Sequence, residues 1–367
     1  MADKKKGYLE YDYVLLIPTL LLLGFGLVAI FSASSFLADH KLGDSYYYLK
    51  KQAFFCMLGL VLMICAKNIP STVYSKLVYP FLIVALSLLL LLFIPGIGIK
   101  VGGASRWVRI AAFTFQPSEL AKLSLAFYMA YSMAKKGQKM SVFSMGFLPH
   151  LMVAGCFMVL ILLQPDLGTC VIIGVWLLIL LFVGGASLFH LSGMMLLSLP
   201  MVFWLINQAD YRMKRWSAFI NPWEDPQGLG FQIIHSFLAL GSGGIFGVGL
   251  GNSKQKLFYL PEPHTDFILS IVAEELGLVG LSIIIILFSI LILRGIKIAL
   301  DASDLYSSYL AMGISTFIGL QVLINMGVVM GLLPTKGLTL PFISYGGSSL
   351  VVSLLSIGVL LSISARR

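Results

Sequence analysis

The stretch DFILSIVAEELGLVGLSIIIILFSILIL, residues 266–293, decides the class of the fold. It runs for 28 residues with three acidic side chains and no basic one, and about 20 apolar residues are enough for a helix to cross a bilayer. The whole chain has the same character, since 59% of its 367 residues are hydrophobic, 11% are charged and the mean hydropathy is +0.95. Soluble domains carry about 25% charged residues, so the composition indicates a membrane protein with several spans.

Ten apolar segments of sufficient length follow one another along the chain. They lie at about 14–35, 52–66, 73–95, 117–134, 147–163, 168–185, 191–207, 266–293, 306–332 and 347–364. We therefore expect an all-α polytopic membrane protein with about ten transmembrane helices, folded as one domain over residues 1–367. The one long connection, at about 208–265 between helices seven and eight, is rich in Gly, Pro and Trp. We predict that it is a structured extracytoplasmic loop with interfacial helices.

The distribution of Lys and Arg orients the spans, because short cytoplasmic loops are enriched in these residues. With the lysine-rich N-terminus in the cytoplasm, ten spans return the C-terminal Arg366 and Arg367 to the same side, so both termini are expected to be cytoplasmic. Nine cations then fall on the outer side, at Lys100, Arg106, Arg109, Arg212, Lys214, Arg215, Lys254, Lys256 and Lys336. Long loops escape the rule, but the loops 96–116 and 333–346 are short. Outer cations there favour an anionic ligand such as a lipid phosphate or pyrophosphate.

Charged side chains inside apolar segments are candidate functional residues, because a charge in hydrocarbon is costly unless it is paired or faces water. In QPSELAK, Glu119 and Lys122 lie three apart on one helix face and can form an ion pair. The two charges either only neutralise each other inside the bundle, or they line a polar cavity that takes substrate. In QPDLGT, Asp166 either caps the next helix or faces the outer cavity. Both sites therefore keep a structural and a functional interpretation.

The stretch 266–293 holds its three acids at different depths and on different faces. Asp266 marks the outer end of the span, and Glu274 lies eight residues on, roughly 12 Å deeper. At about 100° per residue, Glu274 is offset from Asp266 by roughly 80° and Glu275 by roughly 180°. The three carboxylates therefore cannot serve one purpose. Asp266 can reach an aqueous cavity or cap the helix, whereas Glu274 and Glu275 are expected to contact partners inside the bundle.

Several catalytic motifs are absent from the sequence. It contains no GxxxxGK[ST] loop for ATP, no HExxH or cysteine cluster for zinc and no GxSxG elbow. A reaction at this site therefore requires energy carried by the substrate itself, and a phosphoanhydride leaving group on a lipid carrier would supply it. No cofactor is indicated, although a divalent cation, Mg²⁺ or Mn²⁺, would suit such a leaving group.

The run LLPTKGLTLPFISYGGSS, residues 332–349, resembles the C-terminal signature of the SEDS family (shape, elongation, division and sporulation). Further blocks resemble those of the family in the same order: GASRWVRI, FQPSELAK, QPDLGT, FINPWEDPQGLGFQ, GGIFGVGLG and HTDFILSIVAEELGLVG. The resemblance covers nearly the whole chain and is closer to the division members than to the elongation members. It implies ten helices with cytoplasmic termini, and a glycosyltransferase in the cell membrane that polymerises lipid II into peptidoglycan, at the septum for a division member.

The same resemblance implies roles for individual residues. It makes Asp266, in the HTDF block, the essential residue, and a carboxylate there suits the general base that deprotonates an acceptor sugar hydroxyl. The candidates for binding lipid II and its pyrophosphate are Arg106, Arg109, Arg212, Arg215, Lys336, Ser344 and Ser348. The candidates for lining or supporting the cavity are Glu119, Lys122, Asp166, Glu274 and Glu275.

The resemblance also implies a partner, a class B penicillin-binding protein that performs transpeptidation, together with other division proteins. Three alternatives stay open on the sequence alone: an elongation-type polymerase, a lipid II flippase and a non-catalytic scaffold. A flippase shares the buried charges and the outer cations, but the sequence shows no inverted repeat.

Overall fold

The computed structural model describes residues 11–101, 104–110, 113–228, 230–257, 260 and 262–366. Its helices are α1 (Tyr13–Leu42), α2 (Tyr47–Asn68), α3 (Ser71–Leu91), α4 (Pro117–Lys136), α5 (Leu148–Leu163), α6 (Leu167–Val183), α7 (Leu188–Asn207), α8 (Asp210–Ile220), α9 (Gly230–Gly243), α10 (Ile268–Leu300), α11 (Leu305–Val329) and α12 (Gly347–Ser364). The N-terminal lysines and Arg367, which oriented the spans, lie outside the described residues.

Each of the ten predicted spans overlaps one of these helices, and the chain is an all-α polytopic membrane protein. In the described part, eight helices are long and apolar enough to cross a membrane: α1, α2, α3, the run Phe143–Leu163, α7, α10, α11 and α12. The helix α6 is apolar but shorter, and α4 carries four charged side chains. The count of ten spans and the cytoplasmic position of both termini stay predictions.

The two outer connections contain structure of their own. The long loop includes α8 and α9, in agreement with the prediction of helices there. The connection before α4 forms an antiparallel sheet that the sequence analysis did not predict, with β1 (Gly98–Val101), β2 (Ala104–Ile110) and β3 (Phe113–Phe115) in the order β1-β2-β3. This sheet presents Arg106 on its central strand. We call this end of the bundle, where α10 begins, the outer end.

The bundle is built around α11 and α12, whose side chains are mostly buried. The helix α12 packs along α2, and α11 packs against α10 and α4. At the inner end, Asp12 before α1 accepts hydrogen bonds from Arg294 of α10 at 3.0 Å and from Ser364 of α12 at 2.7 Å, which joins three helix ends. The helix α7 lies at the periphery, with only Leu191 buried among its residues.

A break in α10 shapes the outer half of the bundle. Gly277 has φ 63° and ψ −162°, a conformation outside the helical region, and glycine adopts it without the steric cost of a Cβ. The segment 244–249, which follows α9, packs against this break. Two of its amides donate to α10, from Val248 to the Glu274 carbonyl and from Gly249 to the Glu275 carbonyl, both at 3.0 Å.

The same segment also accepts hydrogen bonds from α10. The Leu278 amide donates to the Gly244 carbonyl at 3.0 Å, and the Val279 amide donates to the Ile245 carbonyl at 3.1 Å. Non-helical backbone at membrane depth requires partners inside the protein, because hydrocarbon offers none. The broken helix and the inserted segment therefore depend on each other, and the long outer loop is fixed to α10 well below its outer end.

We predict that Gly277→Ala destabilises the protein strongly. A Cβ at this position would lie 2.5 Å from the carbonyl oxygen of Ile245, and a non-glycine residue at such a φ costs about 1–3 kcal/mol even without a clash. Thermal unfolding of the purified protein in detergent would show a lower midpoint. Gly24→Ala is the matched control, since nothing lies within 4 Å of its added Cβ. Equal midpoints for the two variants would contradict the role of the break.

Candidate active site

Two adjoining cavities open at the outer end of the bundle. The larger, about 270 Å³, lies between α6, α7, α8 and the loop before α12. The smaller, about 130 Å³, contains Asp266. Arg215, Thr335 and Lys336 line both cavities, so the two spaces meet at these residues. We call them the cation cavity and the Asp266 cavity.

The cation cavity combines positive charge with an apolar wall. Four of the predicted binding residues line it, namely Arg106, Arg212, Arg215 and Lys336, together with Asp166. Val171 of α6 and Val202 and Ile206 of α7 form part of the wall. Four cations against one carboxylate leave a positive site, and the apolar wall suits a hydrocarbon chain. The arrangement fits a phosphate-bearing lipid better than a soluble anion.

Two of the four cations of this cavity are held by specific contacts. Arg106 donates to the backbone carbonyl of Gln164 at 3.2 Å and to that of Pro165, and its Nε lies 4.0 Å from Oδ2 of Asp166. Arg212 of α8 donates to the Leu205 carbonyl at 2.8 Å. These bonds fix the guanidinium groups before any ligand enters, which reduces the ordering cost of binding.

Asp166 satisfies both of its sequence interpretations. Its carboxylate accepts from the amide of Thr169 at 3.1 Å and from the hydroxyl of the same residue at 2.9 Å, so it caps α6 as predicted. It also lines the cation cavity. Burial lowers the pKa of Lys336, and the charge of Asp166 acts against that change, which helps to keep the ammonium protonated.

Asp266 lies two residues before α10 and is partly buried. The N-cap position of α10 is Phe267, with no side-chain capping bond, so the interpretation of Asp266 as a helix cap is wrong. A Cβ at Gly337 would lie 3.4 Å from Oδ2 of Asp266, which places the carboxylate beside the loop that carries Lys336. Burial, and then the charge of Glu262, raises the pKa of Asp266 to about 6 against the opposing effect of Arg215.

Three consecutive carbonyl groups fix the backbone at Asp266. The His264 carbonyl accepts from the amide of Tyr345 at 2.9 Å, and the Thr265 carbonyl accepts from Oγ of Ser344 at 2.8 Å. The Asp266 carbonyl accepts from Nδ2 of Asn325 in α11 at 3.0 Å. We call these three bonds the carbonyl clamp. It sets the position of Asp266 relative to the loop before α12.

Three predicted substrate-binding residues lie outside the two cavities. Arg109 is exposed on β2 and lines neither cavity. Ser344 and Ser348 are buried: Ser344 belongs to the carbonyl clamp, and Ser348 accepts from the amide of Gln116 at 3.0 Å. The serine hydroxyls therefore hold backbone segments together in this structure. Binding of substrate by these three residues stays a prediction.

Glu119 and Lys122 form the expected ion pair, with Nζ of Lys122 2.7 Å from Oε1 of Glu119. The pair lines a separate cavity of about 30 Å³ with Gln321, Ser353 and Ser356. The ion pair is therefore confirmed, and it also lines a cavity, but that space is small and does not include Asp266, so the uptake of substrate there stays a prediction. The space has room for ordered water rather than for a sugar.

Glu274 and Glu275 contact partners inside the bundle, as predicted. Glu274 accepts from the amide of Lys254 at 3.0 Å and from the hydroxyl of Ser253. Glu275 pairs with Nζ of Lys256 at 2.9 Å and accepts from Ser32 of α1 at 2.7 Å. Lys256, one of the outer cations, is therefore neutralised by this buried pair. Both acids hold the loop that leads to Asp266.

Asn325 was not among the site residues predicted from the sequence, but it lines the Asp266 cavity and carries part of the carbonyl clamp. It lies within the apolar helix α11 and is 2% exposed. A polar amide inside a predicted span was the available signal, because such groups are retained in membranes for packing or function.

Comparisons with known proteins agree with this fold. The family model of the FtsW, RodA and SpoVE cell cycle proteins matches residues 13–367. A probable peptidoglycan glycosyltransferase FtsW from Geobacter metallireducens is 50% identical over 357 residues, covering 97% of this chain and 95% of that protein. Stage V sporulation protein E of Bacillus subtilis is 44% identical over 353 residues, covering 96% of each chain.

Two solved structures are also similar over nearly the whole chain. A chain of the structure reported as "Structural coordination of polymerization and crosslinking by a peptidoglycan synthase complex" is 30% identical with a TM-score of 0.80, covering 97% of this chain and 98% of its own length. The rod shape determining protein RodA of Thermus thermophilus is 28% identical with a TM-score of 0.73, covering 98% of each chain.

Proposed function

This chain belongs to the FtsW, RodA and SpoVE family of cell cycle proteins, and we propose that the two adjoining cavities form its active site. It is a multi-pass membrane peptidoglycan glycosyltransferase that polymerises lipid II into β-1,4 glycan strands and releases undecaprenyl pyrophosphate. The main support for this active site is that the two cavities meet at Arg215 and Lys336. A leaving pyrophosphate and an acceptor hydroxyl can come together there.

The reaction requires a base for the acceptor and positive charge for the leaving group. Asp266 takes the proton from the acceptor sugar hydroxyl as that oxygen attacks the anomeric carbon of the donor. The bond from that carbon to the pyrophosphate breaks, and its electron pair stays on the pyrophosphate. Arg106, Arg212, Arg215 and Lys336 stabilise the growing charge. One displacement inverts the anomeric centre, so an α-linked donor gives a β-linked product.

The expected divalent cation has no dedicated protein site among the described residues, which hold no cluster of three or more His, Cys, Asp or Glu side chains. Mg²⁺ is commonly held by substrate phosphates together with one or two carboxylates, so a divalent cation at the pyrophosphate stays a proposal beside the roles of the protein groups. The guanidinium groups can contact a pyrophosphate directly with charge-assisted, bidentate hydrogen bonds.

A division role and a transpeptidase partner complete the proposal. The FtsW relatives support synthesis at the septum, and the similar chain from a complex of polymerization and crosslinking supports a partner that is a class B penicillin-binding protein. A pair of this kind would place the polymer and the cross-linking reaction on the same outer surface. Other division proteins belong to the same proposal.

Asp266→Asn should reduce lipid II polymerisation by about 10²–10⁴-fold, because the amide cannot accept the proton. The carbonyl clamp uses only the backbone of residue 266, so the variant should keep its thermal midpoint. The measurement is glycan formation from lipid II by the purified protein with its partner in detergent, where no membrane gradient exists. Near-normal polymer from Asp266→Asn would refute the base assignment.

The rate should also fall in acid. Because the pKa of Asp266 is raised to about 6, the carboxylate is the main form above that pH, and kcat/KM should fall about tenfold per pH unit below it. Glu262→Gln should move this acid limb to lower pH, since it removes a negative charge that raises the pKa. The pH profile of initial rates measures both effects. An acid limb unmoved by Glu262→Gln would argue against titration of Asp266.

Arg215→Gln should weaken use of lipid II by about 10–100-fold in kcat/KM, because one charge-assisted contact contributes about 1.5–3 kcal/mol. Lys214→Gln is the matched control: it removes the same charge from the exposed neighbour on α8, which lines neither cavity. Steady-state kinetics at fixed salt would compare them. Equal losses in both variants would indicate a general electrostatic effect and not a pyrophosphate site.

A further inference from the structure

The NH₂ group of the Asn325 side chain donates two hydrogen bonds, whereas the oxygen of the same amide accepts none among the described residues. Nδ2 donates to the Asp266 carbonyl at 3.0 Å and to the Leu338 carbonyl at 2.7 Å. Among the described residues no group donates to Oδ1, although this atom is buried. The residue lines the Asp266 cavity.

The orientation of this amide is fixed by its partners. Carbonyl oxygens only accept hydrogen bonds, so the side of the amide that faces Asp266 and Leu338 must be the NH₂ group. A flipped amide would set three acceptors against one another. The unpaired oxygen is therefore a property of the network, because the bonds to the Asp266 and Leu338 carbonyls direct Oδ1 away from both of them.

A buried acceptor without a donor is unfavourable, and native proteins keep few such atoms. An enzyme can tolerate one where the substrate supplies the missing donor. We propose that Oδ1 of Asn325 accepts a hydrogen bond from the acceptor sugar, donated by a hydroxyl that flanks the one deprotonated by Asp266. This inference rests on the proposed function and adds a second contact to the acceptor.

The chemistry of the Asp266 cavity favours this occupant. The carboxylate of Asp266 and Oδ1 of Asn325 are both acceptors and require donors, which sugar hydroxyls provide. The pyrophosphate is itself an acceptor and suits the cations, of which Arg215 and Lys336 lie where the two cavities meet. On a sugar that reacts through its 4-hydroxyl, the flanking donors are the 3-hydroxyl and the 6-hydroxyl. Asn325 is neutral and holds the sugar, while Asp266 takes the proton.

Deoxy substrates test the contact. The donor is lipid II with its terminal 4-hydroxyl methylated, which cannot act as acceptor. The acceptors are lipid II and its 3-deoxy and 6-deoxy analogues at the terminal sugar, and the rate of the first new linkage gives kcat/KM. Wild-type protein should use one of the two analogues at least about tenfold less well than the parent, because a site built around a hydroxyl rejects the analogue that lacks it.

Asn325→Ala should lower the rate with every acceptor and reduce this discrimination to less than about twofold. Ser344→Ala is the matched control, because it removes another bond of the carbonyl clamp without removing Oδ1. It should lower kcat but leave the discrimination between parent and deoxy acceptor intact. This difference separates substrate contact from positioning.

Three results would overturn the inference. In the first, wild-type protein uses both deoxy analogues with a kcat/KM within about twofold of that for the parent, which would mean that water, and not the substrate, donates a hydrogen bond to Oδ1. The second is Asn325→Ala that keeps the wild-type discrimination. The third is Ser344→Ala that loses it equally. The comparison of parent and deoxy acceptors with the wild-type protein tests the contact even if Asn325→Ala does not fold. No linkage from the parent acceptor would instead refute the proposed function, and this inference with it.

Discussion

Backbone amides and carbonyls inside a membrane need partners within the protein, and in this molecule that constraint is concentrated at the break in α10. The reciprocal bonds between residues 244–249 and the turn around Gly277 close the break. Once the segment is fixed there, Glu274 and Glu275 can hold the following residues, 253–256, through buried hydrogen bonds and the pair with Lys256. A long outer loop thus reaches Asp266 from a fixed position, which suits a catalytic group better than a free loop does.

The carbonyl clamp continues the same principle at the outer end. It holds Asp266 through its backbone, so the carboxylate itself stays available. The loop before α12 takes part in the clamp through Ser344 and Tyr345, and it also carries Lys336 into both cavities. The base and a cation for the leaving group are therefore parts of one hydrogen-bonded unit. A shift of this loop would move both groups together.

Local sequence rules predicted much of the molecule and missed what depends on distant contacts. Helix positions follow from apolar length, and the Glu119–Lys122 pair and the Asp166 cap follow from spacing of three residues, which any helix enforces. The capping alternative for Asp266 was wrong because the chain enters α10 one residue later. The role of Ser344 in the clamp depends on residues 79 positions apart, and the sheet before α4 on pairing between short strands. Neither leaves a periodic pattern in the sequence.

The charges of the site also explain why Asp266 and the cations need separate but touching cavities. A base surrounded by four cations would have a depressed pKa and would bind its proton weakly, whereas a pyrophosphate beside a carboxylate would be repelled. Of the four cations, Arg215 and Lys336 line both spaces, and burial together with Glu262 outweighs Arg215 in setting the pKa of Asp266. The carboxylate therefore stays basic enough to accept a proton near neutral pH, while the charge that develops on the leaving group meets cations one cavity away.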